Sequence, residues 1–497
     1  MNSSGFTPPQ VEWAILAPEL ILITGALVLL LVSTFFRHRP VGNSWSMFTL
    51  AVTGAALIST IGLWRDVTGP EGVPRLGLAD AVALDGFAVL VTVIICAAVA
   101  LAVLVADGFL WNERLDQPAF YVLLLLSAAG GLLMGKANDL IVVFLGLEIL
   151  SIALYVLAAF HRGKPRSSEA AIKYFVLGSF SSAIFLYGVA LTYGATGTTN
   201  LGGITAFLRS NIVPGGVLYG GFGLLLVGLG FKVAAVPFHM WTPDVYQGSP
   251  TPVTGFMAAA AKAAGFAALL RIFFSAFGDQ RLDWQPIVWA LAVASLVVGS
   301  VLAVVQTDVK RMLAYSSISH AGYILIGLQA ATERGIAGSL FYLLAYTFMV
   351  LGSFAVVTVV AGPGDDSHHL DNYRGLAKRR PGLTLCLTLF LLAQAGVPFT
   401  AGFLAKFGVI AAAVESGSYA LAVIAMLAAV VATFFYLRLI VVMYMGGETE
   451  AASPDRAIEL PLAGALAIGL ALAFTVGAGL LPEPVLNFAR NATLIGL

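Results

Sequence analysis

Long apolar stretches separated by short polar connectors run through almost the whole chain. Crossing a bilayer takes about 20 predominantly apolar residues. On that rule the pattern predicts fourteen transmembrane helices, near residues 13–36, 45–64, 82–106, 117–135, 138–160, 168–194, 217–240, 250–276, 285–306, 312–330, 335–361, 382–413, 418–446 and 458–481. The connectors are too short to hold a soluble domain, and no nucleotide-binding βαβ pattern or glycine-rich phosphate loop is present. The expected architecture is an all-α integral membrane protein, a single polytopic domain over residues 1–497.

Two of the runs carry the same interruption. Val236-Pro237-Phe238 in the seventh recurs as Val397-Pro398-Phe399 in the twelfth, each in a glycine-rich setting and each with one lysine, Lys232 or Lys406. Proline lacks a backbone donor and clashes with the preceding turn, so Pro237 and Pro398 predict broken helices. Five spans is an odd displacement, so a copy moved by five is inverted in the membrane, a recurrent transporter design.

Composition supports this picture. Of 497 residues 59% are hydrophobic and 10% charged, against about 25% charged in soluble domains. The 26 basic and 26 acidic residues cancel, which argues against a nucleic-acid partner or a polybasic lipid anchor. Cys96 and Cys386 lie inside apolar runs without CxxC or Cys/His spacing, so they read as small buried hydrophobes and not as a disulfide, cluster or zinc site. The first run is long enough to span and has no basic leader, so no cleavable signal peptide is expected. Lysine and arginine are unevenly divided between alternate loops. Arg37, Arg39, Arg114, Arg162, Lys164, Arg166, Lys310, Arg311, Arg374, Lys378, Arg379, Arg380 and Arg456 outnumber Arg65, Arg75, Lys136, Arg209, Arg281, Arg334 and Arg490. The positive-inside rule makes the first set cytoplasmic, with both termini outside.

Charges inside the runs carry the chemistry. A lysine at mid-membrane costs about 2.5–3.5 kcal/mol on insertion scales, so one is retained for a purpose, by default ion or proton handling. Lys232 precedes Pro237, where freed carbonyls and water solvate an ammonium. Lys262 lies some twelve residues into its run, too deep to snorkel easily. Lys406 follows Pro398 nearer a run end, where snorkelling is a fair alternative. Glu148 is the one acidic residue deep within a span, read either as a neutral, hydrogen-bonded acid or as the partner of Lys232. His320 is central in its span and suits a bridge between the lysines, or a hydrogen-bonded core role. Lys173 and His239, near a surface, are second-tier candidates; Asp85, Asp107 and Asp139 read as interfacial charges. His368, His369 and Asp371 share a polar loop without zinc spacing, so metal binding is not expected. Tyrosines and phenylalanines read as scattered packing positions.

The segments FLGLEILSIALYVL, FKVAAVPFHMWTPDVYQGSPTPVTGFMAAAAKAAGF, YSSISHAGYILIG and AGVPFTAGFLAKF resemble the antiporter-like membrane subunits of respiratory complex I, most nearly the N-type subunit of bacterial NADH–quinone oxidoreductase. The likeness covers residues 13 to 481. It implies two inverted five-helix repeats, spans 4–8 (117–276) and spans 9–13 (285–446), with the seventh and twelfth helices broken. It also implies a Glu148–Lys232 pair, a central Lys262 and an exit-side Lys406. Lys406 argues against the M-type subunit, where glutamate is usual, and no lateral helix of the L-type follows the last span.

The function implied is proton translocation in a bacterial cell membrane along Glu148, Lys232, Lys262, His320 and Lys406. No cofactor is expected in this chain; flavin, iron–sulfur clusters, NADH and quinone belong to partner subunits. Partners are then the other membrane-arm subunits and, through them, the peripheral arm, together with lipids. The rivals are a subunit of a multi-subunit cation/proton antiporter, a structural spacer of the membrane arm, and a lone secondary transporter.

Overall fold

A computed structural model describes residues 12–35, 44–69, 72–115, 117–211, 215–366, 368–445 and 460–495. The predicted loop charges Arg37, Arg39 and Arg456 fall outside these residues. Helices dominate: α1 (Ala17–Phe35), α2 (Ser44–Thr68), α3 (Gly86–Asn112), α4 (Gln117–Lys136), α5 (Leu140–Ala158), α6 (Pro165–Thr196), α7 (Leu201–Ser210), α8 (Gly215–Val233), α9 (Trp241–Gly248), α10 (Thr251–Phe256), α11 (Lys262–Ser275), α12 (Arg281–Val304), α13 (Val309–Ala330), α14 (Glu333–Ala361), α15 (Leu376–Arg379), α16 (Pro381–Ala395), α17 (Ala401–Glu415), α18 (Tyr419–Met445), α19 (Leu462–Leu480) and α20 (Glu483–Arg490). A π-helical segment, Met257–Ala261, joins α10 to α11, making one continuous helix from Thr251 to Ser275. The only strands among the described residues are a short antiparallel hairpin, β1 (Arg75–Gly77) with β2 (Val82–Leu84).

Twelve helices among the described residues are long and apolar enough to cross a membrane. The chain is a multi-pass membrane protein. The tenth expected span is the 22-residue α13, whose serines, Lys310 and His320 dilute its apolar character. The twelfth is the pair α16 and α17, interrupted at Gly396–Thr400. Helix Thr251–Ser275 lies wholly inside the bundle, whereas α6 and α18 turn large side chains such as Phe180 and Val430 outward.

Glycines set the closest crossings. An added Cβ at Gly130 of α4 would lie 2.5 Å from the Leu150 nitrogen and 2.7 Å from the Gly146 carbonyl of α5. The same geometry recurs between α12 and α13, where a Cβ at Gly299 would lie 2.5 Å from the Ser319 nitrogen and 2.9 Å from the Tyr315 carbonyl. Isolated bridges repeat too, Asp139 with Asn200 and Asp308 with His369. The displacement is constant, since 299 − 130, 308 − 139 and 369 − 200 all give 169.

Charged loops sort themselves by contact. Glu113 joins His161, and Lys164 joins Asp366. Lys173, Asp244 and Arg311 form a further group.

Candidate functional site

Three buried lysines and one buried histidine mark the site, and each is held by a different pair of elements. Helix α8 stops one residue after Lys232, with Ala234 in the left-handed region and Pro237 following a cis bond. The interruption covers residues 234–240, so it begins earlier than the proline alone predicts. The Val236 amide donates to Ser295 Oγ at 2.9 Å, and Trp241 Nε1 donates to the Phe231 carbonyl, so the break is tied on both sides. Lys232 is thereby placed at a helix end. Its Nζ donates to Ser151 Oγ at 2.8 Å and to Tyr174 Oη at 3.3 Å. A small cleft, lined in part by Ser151, Ser181, Ser182 and Lys232, opens beside it.

Lys262 follows the π-helical segment. Such a segment inserts a residue into the helical register and frequently marks a functional site. Lys262 Nζ donates to the carbonyl and hydroxyl of Ser317 on α13, at 2.6 and 2.5 Å, and lies over the Tyr346 ring. His320, one turn further along α13, places Nδ1 2.6 Å from Tyr342 Oη and Nε2 3.2 Å from Tyr436 Oη. Ser316 in turn bonds Tyr436. Beyond the second break, Lys406 of α17 donates to the Ala395 carbonyl at 2.8 Å, across the interruption, and sits 4.8 Å from the centroid of the Tyr323 ring.

Ring contacts join these groups. Tyr346 packs against Lys262 on one side and against His320 (4.7 Å between centroids) on the other. His320 meets Tyr323, whose ring carries Lys406. The tyrosines in this region are therefore not scattered packing residues. A tyrosine in an apolar run leaves no periodic signature, so sequence reading missed them; only Tyr323, three positions from His320, carried a signal.

Glu148 requires a correction. No ion pair joins it to Lys232; it is half-buried on α5, one helical turn before Ser151, and its Oε1 has no hydrogen-bond partner among the described residues. Ser151, one turn on from Glu148, is the hydroxyl that accepts from Lys232 Nζ. Lys173 lies apart from the line, in exposed ion pairs with Glu169 and Asp244. His239 is half-buried in the first break, and its Nδ1 lacks a partner among the described residues. Asp85 is not an interfacial charge: it is fully buried, gripped by both terminal nitrogens of Arg271 at 2.8 Å. Asp107 is also buried, and Asp139 caps α5.

Buried cations thus fall into two classes. Lys136, Arg271 and Lys310 each face a carboxylate, of Glu19, Asp85 and Asp365 respectively. Lys232, Lys262 and Lys406 have only hydroxyls, carbonyls and ring faces, with no carboxylate within 4.0 Å among the described residues. Removing a proton from the first class strands a buried carboxylate, a strongly unfavourable outcome. Removing one from the second class strands nothing.

The NADH:quinone oxidoreductase/Mrp antiporter transmembrane family matches residues 137–432, which include all four of these groups. The chain belongs to that family. A family member named NADH-quinone oxidoreductase subunit N, from Trichlorobacter lovleyi, is 42% identical over 96% of each chain. A chain of respiratory complex I from Thermus thermophilus superimposes with a TM-score of 0.79 at 34% identity, over 96% of this chain and all of that one. A chain of the Mrp complex from Dietzia superimposes with a TM-score of 0.83 over 97% of this chain and 96% of that one, at 23% identity, and shares the fold.

Proposed function

We propose that this chain is a proton-translocating, non-redox subunit of the membrane arm of a bacterial NADH–quinone oxidoreductase. The observation that carries this reading is the set of three buried lysines with neutral partners only. Each can release and regain a proton without leaving an unpaired buried anion, as a translocation path demands. Higher identity to the complex I chain than to the Mrp chain favours this assembly over a multi-subunit cation/proton antiporter. The protein works in the cell membrane with both termini outside, beside other membrane-arm subunits; flavin, iron–sulfur clusters, NADH and quinone are handled by its partners.

On this reading α13 and the broken pair α16–α17 complete fourteen spans, and residues 117–276 and 285–446 are inverted repeats. The constant displacement of crossings and bridges supports that division. Protons enter from the cytoplasm near the first break and reach Lys262. They pass by way of His320 to Lys406 and leave outside. Lys232 and Glu148 regulate the transfer, because moving charge at Glu148 changes the potential at Lys232. A shift of one pKa unit corresponds to about 1.4 kcal/mol, and 100 mV opposes one charge by about 2.3 kcal/mol, so about two units suffice. Lys173 serves at the cytoplasmic surface.

The test is proton uptake by vesicles containing the whole complex, with Lys262→Ala and Lys232→Ala. Uptake per NADH oxidised should collapse while the complex still assembles. Undiminished pumping in both variants defeats the reading.

A further inference from the structure

A second polar cluster lies at the amino-terminal mouth of the two helices that hold Lys262. Asp365, in the loop after α14, accepts from the Thr251 amide and hydroxyl and so closes the start of α10. Lys310, in the first turn of α13, donates to the Ser249 carbonyl at 2.6 Å and faces Asp365 at 3.7 Å. His368 directs Nε2 at the Asp365 carbonyl and carboxylate, at 2.9 and 3.0 Å. The His368 backbone bonds Val309, so the loop is pinned to the same helix start.

Three side-chain atoms of this cluster are buried without a partner among the described residues: Ser249 Oγ, His368 Nδ1 and Tyr373 Oη. Buried polar atoms of this kind are ordinarily satisfied by protein or by ordered water. Water bound to all three would make a hydrated chamber around the one ion pair. Asp85 is the opposite case, since both of its oxygens are satisfied by Ala88, Ile495 and Arg271.

We infer that the chamber formed by Ser249, Lys310, Asp365, His368 and Tyr373 is a hydrated proton-loading site that feeds Lys262. This deepens the proposed function and rests on it. Both oxygens on Asp365 that face Nε2 are acceptors, so Nε2 carries the hydrogen and Nδ1 presents its lone pair. A proton delivered by water binds Nδ1, giving an imidazolium that Asp365 stabilises. Loss of the same Nδ1 proton to a water on the Lys310 side regenerates imidazole, so one proton enters and one leaves. Histidine is the side chain that changes charge between pH 5 and 8, which suits it to collect protons from cytoplasm.

The charged or titratable groups facing His368 are Asp365 from its own loop, Lys310 and Asp308 from the start of α13, and Tyr373. Lys164 reaches the same loop through Asp366. Burial pushes the Asp365 carboxyl up, but the Lys310 charge, His368 and Thr251 outweigh it and hold it well below the usual range. Asp365 therefore stays ionised and the transferable proton resides on His368. The cytoplasmic end of the route is supplied by exposed His369 and half-buried Asp371, 3.1 Å apart. The inner end is set by helical geometry: Lys310 and Ser317 are two turns apart on one face of α13, about 10 Å. About three hydrogen-bonded waters would span that distance, and Ser317 already holds Lys262.

The experiment uses the intact complex in sealed vesicles with NADH and quinone, and compares His368→Gln, Tyr373→Phe, Asp365→Asn and Lys262→Ala. A positioned proton-transfer group contributes at least about a hundredfold; with bypass through water, His368→Gln should slow proton uptake roughly tenfold and move the pH at which uptake is half-maximal. Tyr373→Phe should slow it less. NADH oxidation by an artificial acceptor, which does not need the membrane arm, should be unchanged. If Asp365→Asn fails to assemble, the His368 and Tyr373 variants decide. Wild-type uptake and an unmoved pH profile in both, with Lys262→Ala inactive, overturns the loading site and spares the function. Normal pumping in Lys262→Ala overturns the function itself.

Discussion

A buried lysine's partner decides what the residue is for. Lys262 donates only to Ser317. Arginine at this position keeps the donor and the charge but is effectively never deprotonated. Lys262→Arg should therefore assemble and give less than roughly a tenth of normal proton uptake, as Lys262→Ala does; full uptake would show that a fixed charge suffices. Tyr323 supports Lys406 with its ring while its hydroxyl donates to the Ala425 carbonyl at 2.7 Å. Tyr323→Phe should cost about 1 kcal/mol for the lost hydrogen bond and leave pumping near normal. Tyr323→Leu removes the ring face, worth about 2 kcal/mol when desolvated, and should depress uptake further. The comparison of the two in vesicles separates ring from hydroxyl. The lysines themselves were legible in the sequence because a lone cation in an apolar run is conspicuous. Their partners were not, since Ser151 and Ser317 look like small residues chosen for close helix contact.

Elements add a second layer. Both interruptions were foreseen at Pro237 and Pro398, yet the first begins at Ala234, whose positive φ no alanine announces. The second depends on glycine. Gly396 has φ 95°, and a Cβ at Gly402 would collide with the Ala393 carbonyl, so α16 and α17 meet only if residue 402 has no side chain. Gly402→Ala should destabilise by about 1–3 kcal/mol or more and lower the amount of assembled complex in membranes. Gly382 of α16, where an added Cβ would meet nothing within 4 Å, provides a neutral control as Gly382→Ala. Short connectors such as α7 and α9 were invisible because they are too brief and too polar to register as spans. Helix α9 is secured at Asp244. Burial pushes that carboxyl up, but hydrogen bonds and charge from Lys173 and Arg311 outweigh it and hold it below its ordinary range. A depressed carboxyl contributes stability above its unfolded pKa of about 3.9 and loses it as pH falls through the folded value. With Asp244 about one-third exposed, the contribution is at most about 1 kcal/mol. Melting of the purified complex between pH 3 and 6 should be less acid-sensitive with Asp244→Asn.

Across the whole molecule, two polar systems divide the labour. One is the line of lysines with neutral partners, fed from the Lys310–Asp365 cluster; the other is the pair of carboxylate-bound cations Lys136 and Arg271, which fasten the bundle. Arg271 of α11 reaches the Gly135 carbonyl at the end of α4 and Asp85 before α3, while Asp85 also holds the Ile495 amide from the carboxy-terminal segment. One ion pair thus joins four separate parts of the chain, and nothing in the order of residues revealed it, because its members lie 186 positions apart. Removing one partner from a buried pair leaves an uncompensated charge and costs about 3–5 kcal/mol. Asp85→Ala should therefore reduce assembly and melting temperature sharply. Whatever complex survives should retain its full proton count per NADH, since no transferable proton passes through Arg271. Replacing both residues, as Asp85→Leu with Arg271→Leu, removes the stranded charge and should recover much of the loss. Recovery should stay incomplete, because Asp85 also caps α3 through the Ala88 amide, a contact worth about 1 kcal/mol. Lys262→Ala should behave in the opposite way, with assembly retained and pumping lost. If instead Asp85→Ala lowers proton uptake per NADH in the assembled fraction, the two systems are not separate and the Asp85–Arg271 pair belongs to the proton path.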